Sequence, residues 1–127
     1  MNKDRLFSGQ EETSAILVGV ELKGSSPGWS VEDSLAELGR LADTAGITVA
    51  GATWQKLDHP HPRTWIGSGK VTEVKELCAA HDARCVLFDD ELSPSQQKKL
   101  EAGLGDGIQV IEARSLHQAL EQAFLKD

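Results

Sequence analysis

The residues best suited to chemistry in this chain are Gly67, Ser68, Gly69 and Lys70, inside the run TWIGSGK from Thr64 to Lys70. Glycines at a turn let backbone N–H groups approach an anion at the start of a helix, and a lysine adds a point charge, so the chemistry on offer is phosphate binding. A Walker A loop also needs a glycine five residues before the glycine of its Gly-Lys pair and a hydroxyl after the lysine. The backbone must curl around phosphate and the hydroxyl must hold magnesium. Thr64 occupies the first of these places and Val71 the last. The plainer reading is a tight strand-to-helix turn with Ser68 capping the helix.

A second group follows in FDDELSPSQQKKL, Phe88 to Leu100. Asp89 and Asp90 are adjacent carboxylates that could hold a hard cation or divide the work of acid and base. Neighbours on a strand point to opposite faces, so only one of them can face a given site. Lys98 and Lys99 adjoin one another and, with Lys70, are candidate contacts to phosphate or RNA. His59 and His61 flank Pro60 with only Asp58 near, short of the three or four ligands a zinc site requires. His81 and His117 have no evident partner. Cys78 and Cys85, seven apart, match no zinc spacing and read as small core residues. No serine or cysteine has a recognisable histidine partner, so neither a triad nor a metal site is expected. A phosphoryl-accepting receiver domain would carry its paired acids after the first strand, which here ends in Val20-Glu21-Leu22.

The elements that must position these residues follow from hydrophobic period and punctuation. AILVGVEL, Ala15 to Leu22, is apolar on both faces and rich in β-branched residues, as a central, doubly covered strand is. Ser30 and Asp33 form a capping box for a helix with Val31, Leu35, Leu38, Ala42 and Ala45 on one face, stopped at Gly46. Ile47 to Leu57 is a long strand. The prolines Pro60 and Pro62 turn the chain before a short strand, Arg63 to Ile66, completing a hairpin. A second helix begins at Ser68, burying Val71, Val74, Leu77 and Cys78. A buried strand spans Arg84 to Phe88. Ser93, Pro94 and Gln96 supply the cap, first-turn proline and capping-box partner of a third helix, ended by Gly105. Ile108 to Ile111 is the last strand. Ser115 and Gln118 repeat the capping box for a final helix with Leu116, Leu120 and Phe124 in its apolar stripe. The order β-α-β-β-α-β-α-β-α predicts an α/β fold with a mostly parallel sheet flanked by helices on both faces.

Length and composition bound the rest. A chain of 127 residues, 39% hydrophobic, supplies one ordinary core, so residues 14–127 are expected to form a single domain behind a mobile segment, 1–13. No apolar run reaches the roughly 20 residues that span a bilayer, and no signal peptide is evident, so a cytoplasmic protein without membrane contact is expected. A net charge of −7 argues against bulk affinity for nucleic acid but leaves local basic patches open.

The blocks TWIGSGKVTEVKEL and VLFDDELSPSQQKKLE closely resemble the amino-terminal domain of the HflX family of translation-factor-related GTPases. The resemblance extends back through AILVGVEL, SLAELGRLADTAG and VAGATWQKLDHPHPRTWIGSGK, covering Ala15 to Ile111. It implies an α/β domain that, in the family, precedes a long helical hairpin and a G domain with a true Walker A loop, in proteins that bind the large ribosomal subunit. After Ile111 the sequence departs: where the family has Asp-Arg-Thr, this chain has Glu112-Ala113-Arg114-Ser115. The divergent, capped final helix points to a stand-alone relative.

None of the G-domain loops occurs in this sequence, so GTP hydrolysis does not carry over. The resemblance implies a non-catalytic module that contacts the large ribosomal subunit or its RNA, or regulates a G domain in cis or in trans. It needs no cofactor. The alternative is a small nucleotide-binding protein or weak NTPase using the Gly67 to Lys70 turn, with Asp89 or Asp90. A third expectation concerns Leu116, Leu120 and Phe124, which either cover the sheet or, left exposed, serve self-association or pairing with a helical partner.

Overall fold

Ala15, Ile16, Leu17 and Val18 are all buried, which an amphipathic strand could not achieve, and they form the centre of the fold. The computed structural model describes residues 13–24 and 30–125. Along the chain run β1 (Thr13–Leu22), α1 (Val31–Thr44), β2 (Ile47–Leu57), α2 (Ser68–His81), β3 (Cys85–Phe88), α3 (Pro94–Leu104), β4 (Gln109–Glu112) and α4 (Ala113–Leu125). The four strands form one parallel sheet in the order β2-β1-β3-β4.

Period-two alternation on the inner strands sorts the helices into two layers. Ile16, Val18, Val86, Phe88 and Val110 point to one face and pack with Val74 and Cys78 of α2 and Leu100 and Leu104 of α3. Ala15, Leu17, Cys85, Leu87 and Ile111 point to the other and pack with Leu38 and Ala42 of α1 and Leu116 and Leu120 of α4. Leu116 and Leu120 therefore cover the sheet; the side chain of Phe124 lies outside the described residues, as do residues 1–12 of the expected mobile segment. No described helix is long and apolar enough to cross a membrane.

The caps of α1 and α3 match the sequence: Ser30 with Asp33, and Ser93 with Gln96, each bond reciprocally. Three local expectations are corrected. Arg63–Ile66 forms no strand; one isolated bridge joins His61 and Trp65, and the segment is a turn rather than the arm of a hairpin. Gly67, without a side-chain bond, is the N-cap of α2, which makes Ser68 the first helical residue. The final helix starts at Ala113, directly off β4, two residues before Ser115. The expectation of a stand-alone relative leaned on that cap and loses its support.

Gly19 shows how closely α1 approaches the sheet. A Cβ there would lie 2.9 Å from Val31 Cγ2 and 3.2 Å from Leu35 Cδ2, and the β-branched, buried Val31 cannot swing away. At Gly69, in the first turn of α2, an added Cβ meets nothing within 4 Å. Gly19→Ala is thus expected to lower unfolding stability by about 1–3 kcal/mol through overpacking. Gly69→Ala is expected to raise it by about 0.5–1 kcal/mol. Urea midpoints of the two variants, opposite in sign, check both.

Candidate functional site

In a parallel sheet the loops that leave the carboxyl ends of the strands gather at one edge, and here β1 lies between β2 and β3, so the chain reverses its winding there. Residues 58–67, after β2, and residues 89–93, after β3, meet at this edge. The Trp65 indole Nε1 donates to Asp90 Oδ2 at 3.2 Å, joining the two sequence blocks directly. Gln96 Nε2, in the first turn of α3, donates to the Pro62 carbonyl at 3.3 Å. His61 and Trp65 exchange backbone bonds of 2.9 Å in both directions, and Ile66 is fully buried. Trp65 sits at φ 68°, a left-handed conformation that is strained for a bulky residue and is held by these contacts.

The four residues of the glycine turn divide in role. The Gly67 N–H is taken by the side-chain carbonyl of Gln55 at 3.1 Å, which fixes where α2 starts. Ser68 and Gly69 are exposed, and their backbone N–H groups belong to the unsatisfied first turn of the helix. Lys70 turns inward. Its Nζ lies 2.7 Å from Glu73 Oε1 and 3.1 Å from Thr53 Oγ1, and the side chain is only 15% exposed. Thr53 in turn donates to Glu73 Oε2 at 2.6 Å. The bonds from Lys70 and Thr53 hold the Glu73 carboxyl below the usual range.

Beyond the turn, a groove of about 420 Å³ opens between α2 and α3, lined by His61, Arg63, Thr64, Ser68, Thr72 and Lys99 over a floor of Val71 and Ala102. It brings Ser68 and Lys99 together. Lys98 is exposed on the next position of α3 outside the lining, and Lys70 is held on the β2 side of α2. Arg63, His61 and Thr72 were not singled out by sequence as phosphate contacts; the one signal available was the position of Arg63 immediately before TWIGSGK.

The paired acids lie in the bend after β3, near enough for each carboxyl to act on the other, yet they meet different neighbours. Asp90 meets Trp65 on the α2–α3 side, whereas Asp89 faces a cavity of about 180 Å³ with Ser34, Glu37, Leu38, Leu41 and Ala113. Asp89 Oδ1 is buried without a hydrogen-bond partner among the described residues. Burial, and then the neighbouring Asp90 charge, push the Asp89 carboxyl up to about 7, against a hydrogen bond from Ser34. Among the described residues no cluster of three or more His, Cys, Asp or Glu side chains could hold a metal. Cys78 and Cys85 are buried free thiols, and burial pushes Cys85 up to about 12, so neither is a nucleophile near neutral pH.

Asp89 has a definite pH signature. The folded state holds its proton up to about 7 and the unfolded chain releases it near 3.8, so the folded state binds more protons across that window and its stability falls as pH rises through it. Asp89→Asn, which keeps the shape without the charge, is expected to flatten this fall. It should gain stability on the order of 2 kcal/mol at pH 8 relative to wild type, with little gain at pH 4. Denaturant titrations at the two pH values measure the difference.

A protein-family model described as "GTP-binding GTPase N-terminal" matches residues 32–116. The GTPase HflX of Alkalihalophilus pseudofirmus is 39% identical over 101 residues, 80% of this chain and 23% of that protein. The GTPase HflX of Escherichia coli is 36% identical over 98 residues, 77% of this chain and 21% of its own length. The chain thus spans about a fifth of the length of the curated relatives it matches. Among solved structures, one described as SsGBP in complex with GDP superposes with a TM-score of 0.63 at 14% identity, over 92% of this chain and 31% of that one, a likeness of fold. On the family match and these identities, the chain belongs to the GTP-binding GTPase N-terminal family, as the amino-terminal domain of HflX-type proteins.

Proposed function

We propose that this domain is a non-catalytic docking module that sets its α2–α3 layer against phosphates of RNA in the large ribosomal subunit. The observation that carries the reading is the partition of cations. Lys23, Arg40, Lys56, Lys70 and Arg114 are each paired with a carboxylate. Arg63, Lys75, Arg84, Lys98 and Lys99 have no such pair among the described residues, and all five lie on α2 or α3 or in the segments that join them to the sheet. By contrast α1, on the opposite layer, carries Glu32, Asp33, Glu37 and Asp43 against Arg40 alone.

Three features supply the contacts. Arg63 and Lys99 flank the groove, Lys98 adjoins them, and the N–H groups of Ser68 and Gly69 open toward solvent beside it. Unpaired cations and first-turn amides recognise phosphate backbone without reading sequence. Lys70, Asp90 and Gln55 act behind this surface by fixing the turn and the loop. The rival use of the Gly67 to Lys70 turn for a nucleotide would require Lys70 to leave Glu73 and Thr53, which weighs against it.

The domain is expected to pellet with isolated large ribosomal subunits at low salt. The pair Arg63→Ala with Lys99→Ala should weaken that association several-fold and shallow its salt dependence by about 1–2 in log–log slope. Absence of co-sedimentation at low salt overturns the reading. A melting temperature that rises with ATP or GTP, and stops rising in Lys70→Ala, would instead favour the nucleotide site.

A further inference from the structure

Among the described residues, no carboxylate lines the groove of about 420 Å³ between α2 and α3. Two other cavities differ in this respect. One of about 400 Å³, at the far end of the same two helices, includes Asp82 and Asp106, and the one beside α1 includes Glu37 and Asp89. The acids of α2 and α3 are placed away from the groove: Glu73 is taken by Lys70 and Thr53, and Glu101 accepts the Val110 N–H at 3.0 Å. Glu76 is exposed one turn past Thr72, outside the lining. An anionic ligand can therefore enter here without meeting a carboxylate.

The floor is apolar and the rim is polar. Ser68, Val71 and Thr72 recur at i, i+3 and i+4 on one face of α2, opposite Lys99 and Ala102 of α3, so the two helices share one trough. Gly103 passes so close to Val71 that an added Cβ would lie 3.3 Å from its Cγ1, which holds that side chain in the floor. The loop wall is fixed as well. Gln96 holds the Pro62 carbonyl at 3.3 Å and His61 exchanges backbone bonds with Trp65, so His61 and Arg63 are carried at one end of the trough. The Thr72 hydroxyl donates to the Ser68 carbonyl at 3.2 Å and keeps its lone pairs for a donor, while the Ser68 hydroxyl can donate or accept.

From this arrangement we infer that the groove takes one unpaired nucleotide of an RNA partner, its base against Val71 and Ala102 beside the His61 ring and its phosphate at Arg63 and Lys99. The inference rests on the docking reading above and adds the kind of RNA. A regular duplex keeps its bases paired and stacked inside, so it could lay only phosphates across the rim and would leave Val71 and Ala102 wet. A splayed base removes that apolar floor from water, and every base has a face that stacks on a ring. The base is uncharged, so the acid surplus of the chain opposes only the phosphate, which the cationic end of the groove receives. The volume also lies within the roughly 300–1,000 Å³ of preformed small-ligand pockets.

Fluorescence anisotropy at low salt with three labelled RNA hairpins tests this. One carries a single unpaired adenosine in its stem, one is fully paired, and one has an abasic ribose at the unpaired position. The first is expected to bind about tenfold more tightly than the other two. Ala102→Leu fills the floor at an exposed helical position. It is expected to erase that preference and leave binding of the paired hairpin unchanged, with a melting curve reporting the intact fold. Arg63→Ala with Lys99→Ala is expected to weaken all three. Equal binding of the three hairpins, or a preference that survives Ala102→Leu, overturns the inference and leaves phosphate docking in place. Failure of every hairpin to bind, together with failure to pellet with large subunits, overturns both. Displacement of the bulged hairpin by micromolar adenosine monophosphate would make the groove a free-nucleotide site and overturn its assignment to RNA.

Discussion

Everything else in this fold depends on the burial of β1 from both sides. Ala15 and Leu17 require one covering layer and Ile16 and Val18 require another, so the helices cannot segregate to one face. The chain meets that demand by laying α1 and α4 over one side and α2 and α3 over the other. To do so it must reverse direction after β2, crossing beyond β1 to form β3. That crossing brings the segment after β2 into contact with the end of β3. The candidate site is therefore a consequence of the double burial.

The contact made at the crossing is an unusual one for a loop. Trp65 is held in a left-handed conformation, which for a bulky residue costs on the order of 1–3 kcal/mol. The cost is offset by the Asp90 bond, the reciprocal bonds with His61 and the buried Ile66 next in sequence. What the strain achieves is direction. With Trp65 turned toward β3, the preceding Arg63 and Thr64 are displayed along the groove and the following Gly67 is delivered to Gln55 as the start of α2. A loop that relaxed into an ordinary hairpin would move all three.

Much of this was legible in the residue pattern, for reasons that can be named. A doubly apolar run, two capping boxes and a glycine stop are local signals, and the β1, α1 and α3 assignments needed nothing from elsewhere in the chain. The hairpin failed because Arg63 to Ile66 reads as extended, while its actual turn is fixed by Asp90 and Gln96, more than twenty residues away. Ser115 read as a cap because its chemistry is right, yet β4 passes into α4 with no loop for it to cap. At the site, sequence could nominate Lys70 as a cation beside a phosphate-like turn. It could not show that Thr53, across on β2, joins Glu73 of the same helix in drawing that cation inward. Nor could it assemble Arg63 with Lys99, which a groove between two helices brings together.

Net charge is a property of the whole chain, whereas the proposed docking would use one layer of it. Summed over the sequence, acids outnumber bases and argue against a nucleic-acid partner. Folding distributes that surplus unevenly. α1 carries four acids against one base, α2 and α3 carry Glu73, Glu76 and Glu101 against four lysines, and Arg114 and Lys23 are paired with Glu91 and Asp58. The cations left unpaired gather on the α2–α3 layer. Screening in salt limits each charge to a reach of about 10 Å, less than the separation of two helix layers packed on opposite faces of a sheet. A phosphate approaching α2 and α3 would therefore meet the charges of that layer, the unpaired lysines together with Glu76 and Glu101, and the acids of α1 would act on it only weakly. For the proposed docking, the quantity that would govern recognition is the balance of charge on one layer, set by which side chains the fold leaves without partners.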